Sequence, residues 1–149
     1  MKSILFVCLG NICRSPLAEG IAKKYAKLYN LKLDIDSAGT SSWHASEAPC
    51  ENSIKVALNH NIDIKKQKSR QVKTEDKNYD FIVAMDKNNY EDLKNLGFEN
   101  IYLIGNFGGF KGDDVPDPYY YKGFEGFNMV YNMLDICIED FLKTKGLLK

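Results

Sequence analysis

The feature that most limits what this chain can fold into is a repeated alternation of short apolar runs with helix-like segments. "SILFVC" (3–8) reads as a strand buried on both faces, and "YDFIVAMD" (79–86), apolar throughout its centre, and "NIYLIG" (100–105) read as further strands. "LKLDIDS" (31–37) alternates Leu31, Leu33 and Ile35, the period-two pattern of a strand. Ser15 as N-cap and Pro16 as first helical residue open a helix that ends near Asn30, with Leu17, Ile21, Tyr25 and Leu28 at helical spacing. Further helices are expected over 49–59, around Ile54, Ala57 and Leu58, and over 87–97, where Gly97 is the stop. "TEDKN" (74–78) reads as a short helical turn. The last helix carries Phe124, Phe127, Val130, Tyr131, Leu134, Ile138, Phe141 and Leu142, which form one wide apolar stripe. Strands alternating with helices imply right-handed βαβ units, hence a doubly wound α/β domain: a parallel sheet with helices on both faces. At 149 residues the chain is one domain, large enough to fold without staples. In such sheets ligands bind beyond the carboxyl ends of the strands.

Lys+Arg and Asp+Glu are equal at 20 each, which argues against nucleic acid or an anionic membrane as the main partner and makes a monomer the default. The first apolar run meets "GN" and Arg14 with no small-residue cleavage pattern, so it does not read as a signal peptide. No apolar stretch approaches the roughly 20 residues of a membrane helix, and a cytoplasmic location is expected. Four cysteines are present, Cys8, Cys13, Cys50 and Cys137, with two histidines, His44 and His60, neither near the Cys8–Cys13 pair. That is a poor zinc set, and no metal is expected. Cys137 sits on an apolar helical face and reads as core; Cys50 opens a helix and receives no role. Lys65, Lys66, Lys68, Arg70 and Lys73 read as a solvated face.

The chemistry concentrates where the first strand gives way to the first helix, in "VCLGNICRSP" (7–16). A strand-to-helix loop can curl its N–H groups into one bowl, backed by a helix N-terminus, that binds a phosphate-sized anion. Gly10 allows close backbone approach, and Asn11 tolerates the left-handed conformation such loops need. The Gly-Lys-Ser/Thr ending of a Walker loop is missing. The N–H groups and helix end that hold an anion also favour a thiolate at the base, Cys8, and Ser15 can donate its hydroxyl to it. The planar fork of Arg14 suits two phosphoryl oxygens. Phosphoryl transfer to sulfur also needs an acid, because a tyrosyl leaving group has a pKa of about 10. Asp117 in "VPDPYYY" is one candidate, Asp113 and Asp114 in the same long loop are others, and Asp-Pro is also a common turn dipeptide.

With "VCLGNICRSP", "DSAGT" (36–40), "MD" (85–86) and "DPYY" (117–120) in this order, the chain resembles the low-molecular-weight protein tyrosine phosphatases over residues 1–149. Val7 stands where the larger tyrosine phosphatases carry a histidine, which fits the small family. The resemblance implies a four-stranded sheet of order 2-1-3-4 and a protein-tyrosine phosphatase that needs no cofactor, acting on phosphotyrosine in proteins and on small aryl phosphates. Cys8 would be the nucleophile and form a phosphocysteine. Arg14, with the N–H groups of Leu9, Gly10, Asn11, Ile12 and Cys13, would bind the phosphoryl oxygens. Asn11 and Ser37 would support the loop, and Ser15 would stabilise the Cys8 thiolate. Asp117 would protonate the leaving oxygen and then deprotonate water. Ile12, Trp43, Tyr119 and Tyr120 would wall the substrate cleft. Cys13 would form a peroxide-induced disulfide with Cys8, and Tyr119 and Tyr120 would be phosphorylation sites.

Two rivals share the resemblance. A thioredoxin-coupled arsenate reductase needs redox cysteines after the third strand, where "FIVAMDKNNYEDL" has none. A protein-arginine phosphatase carries Thr where this loop has Ile12. A phosphate-binding module without catalysis would need no acid. The chain departs from the family pattern at Tyr121, where Gly often follows "DPYY", and in the loop "NFGGFKGDD" (106–114).

Overall fold

In the computed structural model, which describes residues 1–148, four strands and four helices alternate along the chain. The strands are β1 (Lys2–Cys8), β2 (Leu33–Gly39), β3 (Phe81–Ala84) and β4 (Ile101–Leu103). The helices are α1 (Arg14–Leu28), α2 (Glu51–Leu58), α3 (Lys87–Asn95) and α4 (Glu125–Thr144). All strand pairs are parallel and the sheet order is β2-β1-β3-β4. This is the doubly wound architecture that the alternation implies, in the order expected from the resemblance.

Side chains alternate across the central strand. Ile4, Phe6 and Cys8 join the large core cluster under α1, α2 and α4, while Leu5 and Val7 join a smaller one with Leu93 and Phe98 on the α3 side. The apolar stripe of α4 is buried from Phe127 to Leu142, and Cys137 lies within it, fully buried. On α1 the buried stripe is shorter than its sequence spacing suggests. Leu17 and Ile21 are core, Tyr25 is partly buried with its hydroxyl donating to Asp135 Oδ1 at 2.7 Å, and Leu28 is 66% exposed.

The helix boundaries shift in one informative place. Helix α1 begins at Arg14, with Cys13 as its N-cap, rather than at Ser15. The Ser15 hydroxyl does not cap the helix because it is committed to Cys8 and Asn11. Pro16 still falls within the first turn, where backbone N–H groups have no intrahelical partner to lose. Strand β4 is shorter than expected and passes directly into a 3-10 turn at Ile104–Asn106. Arg70 departs from the solvated face assigned to its neighbours. It bridges Asp36 (Nη2–Oδ2, 3.1 Å) and Asp76 (Nη1–Oδ2, 2.9 Å), fastening the segment after α2 to the middle of β2.

The strand order reverses about β1, so the loop that follows β1 opens at the switch point of the sheet. Gly39 at the end of β2 lies directly against that loop. A Cβ there would sit 2.6 Å from the Leu9 carbonyl oxygen.

Candidate active site

Because β1 alternates, its last residue, Cys8, points to the side where α1 begins. The chain then turns sharply through Asn11, which takes the left-handed conformation at φ 57°. The turn brings the Asn11 N–H onto Cys8 Sγ at 3.2 Å and Ser15 Oγ to 3.0 Å from the same sulfur.

A buried polar chain supports this turn and has a direction. Asn11 Nδ2 donates to Ser15 Oγ (2.8 Å) and to Ser37 Oγ (3.0 Å), while Asn11 Oδ1 accepts from the Arg70 backbone N–H (3.1 Å). Since Ser15 Oγ accepts from Asn11, its own proton is free for the sulfur of Cys8. Ser37, in turn, donates to Glu19 Oε1 at 2.6 Å, and Lys23 donates to Glu19 Oε2 at 2.6 Å. Glu19 is 3% exposed. Each charge-assisted bond in such a chain is worth about 1.5–3 kcal/mol, and removing one member leaves its neighbour buried without a partner. The arrangement brings the Asn11 N–H and the Ser15 hydroxyl to Cys8 Sγ.

Arg14, the first residue of α1, is 8% exposed. Its Nη1 donates to Asp86 Oδ2 at 2.7 Å and to the Val115 carbonyl at 3.0 Å. Asp86 Oδ1 accepts from the Asn89 N–H at 2.7 Å and so caps α3 at the same time. Burial works against the Arg14 cation, but Cys8, Asp86 and Asp117 together outweigh it and hold its pKa above the ordinary arginine value.

Cys8, Leu9, Gly10, Ile12, Cys13, Arg14, Trp43, His44, Asp117 and Tyr119 line one cleft of about 240 Å³. Asn11, Ser15 and Ser37 lie behind its floor as support. Trp43 is 76% exposed and forms an open rim. Tyr120, expected in the same wall, instead lines the adjoining groove with Asp86, Asp114 and Asp117. Among the three loop acids, Asp117 is the one that lines the cleft with Cys8. Its Oδ1 accepts from the Tyr119 N–H at 3.0 Å and caps a 3-10 turn at Pro118–Tyr120. Asp114 is engaged with Lys87, and Asp113 is exposed. A larger open cleft of about 930 Å³, bordered by Lys23, Lys24, Lys27 and Lys66, contains none of the residues of the Cys8 loop.

The sequence reading gives no role to Glu19, Asp86 or Cys50, and it takes Arg70, which bridges Asp36 and Asp76, for part of a solvated face. Glu19 had a signal: it is an acid among Leu17, Ala18, Gly20 and Ile21, all of them buried. Asp86 follows an apolar strand at an N-cap position, which is also legible in retrospect. Cys13, which the resemblance pairs with Cys8, meets a different thiol here: Cys13 Sγ is 2.7 Å from Cys50 Sγ.

The sequence matches the model of the family described as low molecular weight phosphotyrosine protein phosphatase over residues 3–147. It is similar to the low molecular weight protein-tyrosine-phosphatase PtpA of Staphylococcus aureus, at 37% identity covering 99% of this chain and 98% of that protein. Among solved structures, a protein tyrosine phosphatase from Entamoeba histolytica with Hepes in its active site aligns with a TM-score of 0.88 at 36% identity, covering 99% of this chain and 100% of that one. The Drosophila arginine phosphatase aligns with a TM-score of 0.90 at 33% identity, covering 97% of this chain and 98% of that one. A loop of this shape after β1, matched over nearly the whole chain, leaves one conclusion: the chain belongs to the low molecular weight phosphotyrosine protein phosphatase family.

Proposed function

We propose that this protein is a protein-tyrosine phosphatase that hydrolyses phosphotyrosine in proteins, and small aryl phosphates, through a phosphocysteine on Cys8. The observation that carries the reading is the cleft itself, where a sulfur with two donors aimed at it, an arginine and a carboxylate meet. In the first step the Cys8 thiolate attacks phosphorus, the P–O bond to the tyrosyl oxygen breaks, and protonated Asp117 gives its proton to that oxygen. In the second step water attacks the phosphocysteine, Asp117 takes the proton, and the S–P bond breaks to return Cys8 as thiolate. Ser15, whose proton faces the sulfur, stabilises that leaving thiolate.

The N–H groups of residues 9–14 and the Arg14 fork hold the equatorial oxygens, so charge is stabilised without a metal or cofactor. Asp86 turns Arg14 toward the cleft before substrate arrives. Asn11 and Ser37 keep the loop in shape. Ile12, Trp43 and Tyr119 give the substrate ring apolar and aromatic walls. Ile12 favours an aryl phosphate over a phosphoarginine, since its side chain offers no hydrogen bond to help orient water at a P–N bond. Chemistry through a free Cys8 thiol suits a reducing compartment, and we place the enzyme in the cytoplasm, acting as a monomer. None of the helices among the described residues is long and apolar enough to cross a membrane.

The test is turnover of an aryl phosphate, a phosphotyrosyl peptide and a phosphoarginyl peptide by the wild type. The reading expects the first two to be hydrolysed well and the third poorly. Equal rates on phosphoarginine would overturn the specificity.

A further inference from the structure

Cys13 and Cys50 are brought together by two different parts of the fold. Cys13 is the N-cap of α1 and lies in the phosphate loop; Cys50 is the N-cap of α2, 37 residues away. The backbone is already joined at this point, with the Cys50 N–H donating to the Ile12 carbonyl at 2.7 Å. Ser53 Oγ donates to the Cys13 carbonyl at 3.2 Å and lies 3.1 Å from Cys50 Sγ. The two sulfurs are therefore held on both sides by short contacts between loop and helix. Both are free thiols, partly accessible, and 2.7 Å apart. That is under about 1 Å from the separation of a disulfide bond, a gap that small side-chain movements can close.

We propose that Cys13 and Cys50 are a reversible dithiol–disulfide pair, a redox modification site separate from the nucleophile, which hydroperoxides oxidise and small dithiols reduce. The two sulfurs are unequal, which sets the order of events. The hydrogen bond from Cys13, with smaller help from Ser53 and Tyr119, outweighs burial and lowers the Cys50 pKa to about 6. Cys13 is pushed far up by the same contact and by burial, so it keeps its proton. The start of α2 adds a further bias toward an anion at Cys50. At neutral pH the Cys50 thiolate attacks a peroxide oxygen, breaking the O–O bond and giving a Cys50 sulfenic acid and, after proton uptake, water. The Cys13 thiol then displaces the sulfenic hydroxyl as a second water and forms the S–S bond. Two thiols lose two electrons, and one hydrogen peroxide accepts them and becomes two waters. The product clips the phosphate loop to α2 beside Tyr119. It also excludes a Cys8–Cys13 disulfide, because Cys13 can take only one partner.

The test uses wild-type protein held in saturating inorganic phosphate to shield Cys8 and given limited hydrogen peroxide. Free thiols are then blocked under denaturing conditions and disulfide-linked peptides are identified by mass spectrometry. The titratable thiols should fall from four to about two, with a Cys13–Cys50 link that a dithiol reverses. The Cys8→Ser protein, treated without phosphate, should show the same link, which separates this inference from the assignment of Cys8 as nucleophile. A Cys8–Cys13 link with Cys50 left free, or survival of all four thiols, would overturn it.

Discussion

Arg14 and Asp86 form a 2.7 Å ion pair between the first turn of α1 and the N-cap of α3, with both side chains largely buried. One carboxylate thus does two things: Oδ2 accepts from the Arg14 guanidinium, and Oδ1 caps a helix. Replacing it tests both. Asp86→Ala should lose the cap, about 0.5–2 kcal/mol of stability, together with the aim of Arg14. Asp86→Asn keeps a capping oxygen but loses the charge on the pair, so its melting temperature should lie closer to wild type. Both variants should lose on the order of tenfold in kcat/KM, because a misaimed clamp forfeits orientation. Wild-type kcat/KM in both would show that the ion pair does not serve the site.

Asp117 lines the cleft with Cys8 at the N-cap of a 3-10 turn. As a general acid it should contribute about 10²–10⁴-fold. Asp117→Ala should therefore slow phosphotyrosine by that factor while hardly affecting an aryl phosphate whose leaving group needs no proton. A loss that is the same for good and poor leaving groups would remove Asp117 from the acid role.

Gly39 ends β2 where the loop passes closest. A methyl group there would sit 2.6 Å from Leu9 O, 3.1 Å from Gly10 C and 3.2 Å from Asn11 N, all of them backbone atoms that cannot swing aside. Gly39→Ala should cost about 1–3 kcal/mol, read as a fall of roughly 2–4 °C in Tm per kcal/mol. It should also weaken competitive inhibition by inorganic phosphate, since the atoms displaced belong to the phosphate loop. Unchanged Tm and inhibition would mean that the loop has slack here.

The Cys50 thiol loses its proton at about 6 instead of the ordinary 9.0, chiefly because Cys13 donates to it. Alkylation of Cys50, followed by peptide mass spectrometry with phosphate present, should be half-maximal near that pH, and Cys13→Ala should move the midpoint upward. The folded Cys50 value lies below the unfolded one, so Cys50 adds stability that builds up to the ordinary thiol range, above which Cys13, held protonated by the same contact, works against it. That stability is lost as pH falls through about 6. A midpoint in the ordinary thiol range, unmoved by Cys13→Ala, would contradict the coupling.

The legible part of the site was local. Cys8, Asn11, Arg14 and Ser15 fall within one turn between a strand and a helix, so residue type and spacing were enough to place them. The sheet was legible because four apolar runs separated by helical periods allow few other topologies. What sequence did not show depends on contacts across the fold. Asp86 meets Arg14 across 72 residues, and Glu19 reaches the sulfur only through Ser37, Asn11 and Ser15. Cys50 lay unassigned for the same reason: its partner is 37 residues away, and no spacing rule connects a helix cap to a distant loop. Arg70 looked like one more cation in a basic stretch, and only its backbone N–H on Asn11 and its bridge to two carboxylates show that it anchors the loop.

The account turns on Cys8 as the atom that takes the phosphoryl group. Its most direct test is steady-state turnover of a phosphotyrosyl peptide by Cys8→Ser beside wild type, with inorganic phosphate binding measured on both to show that the loop is intact. The account predicts that phosphate still binds while turnover falls to the uncatalysed background. Turnover by Cys8→Ser at the wild-type rate would contradict it.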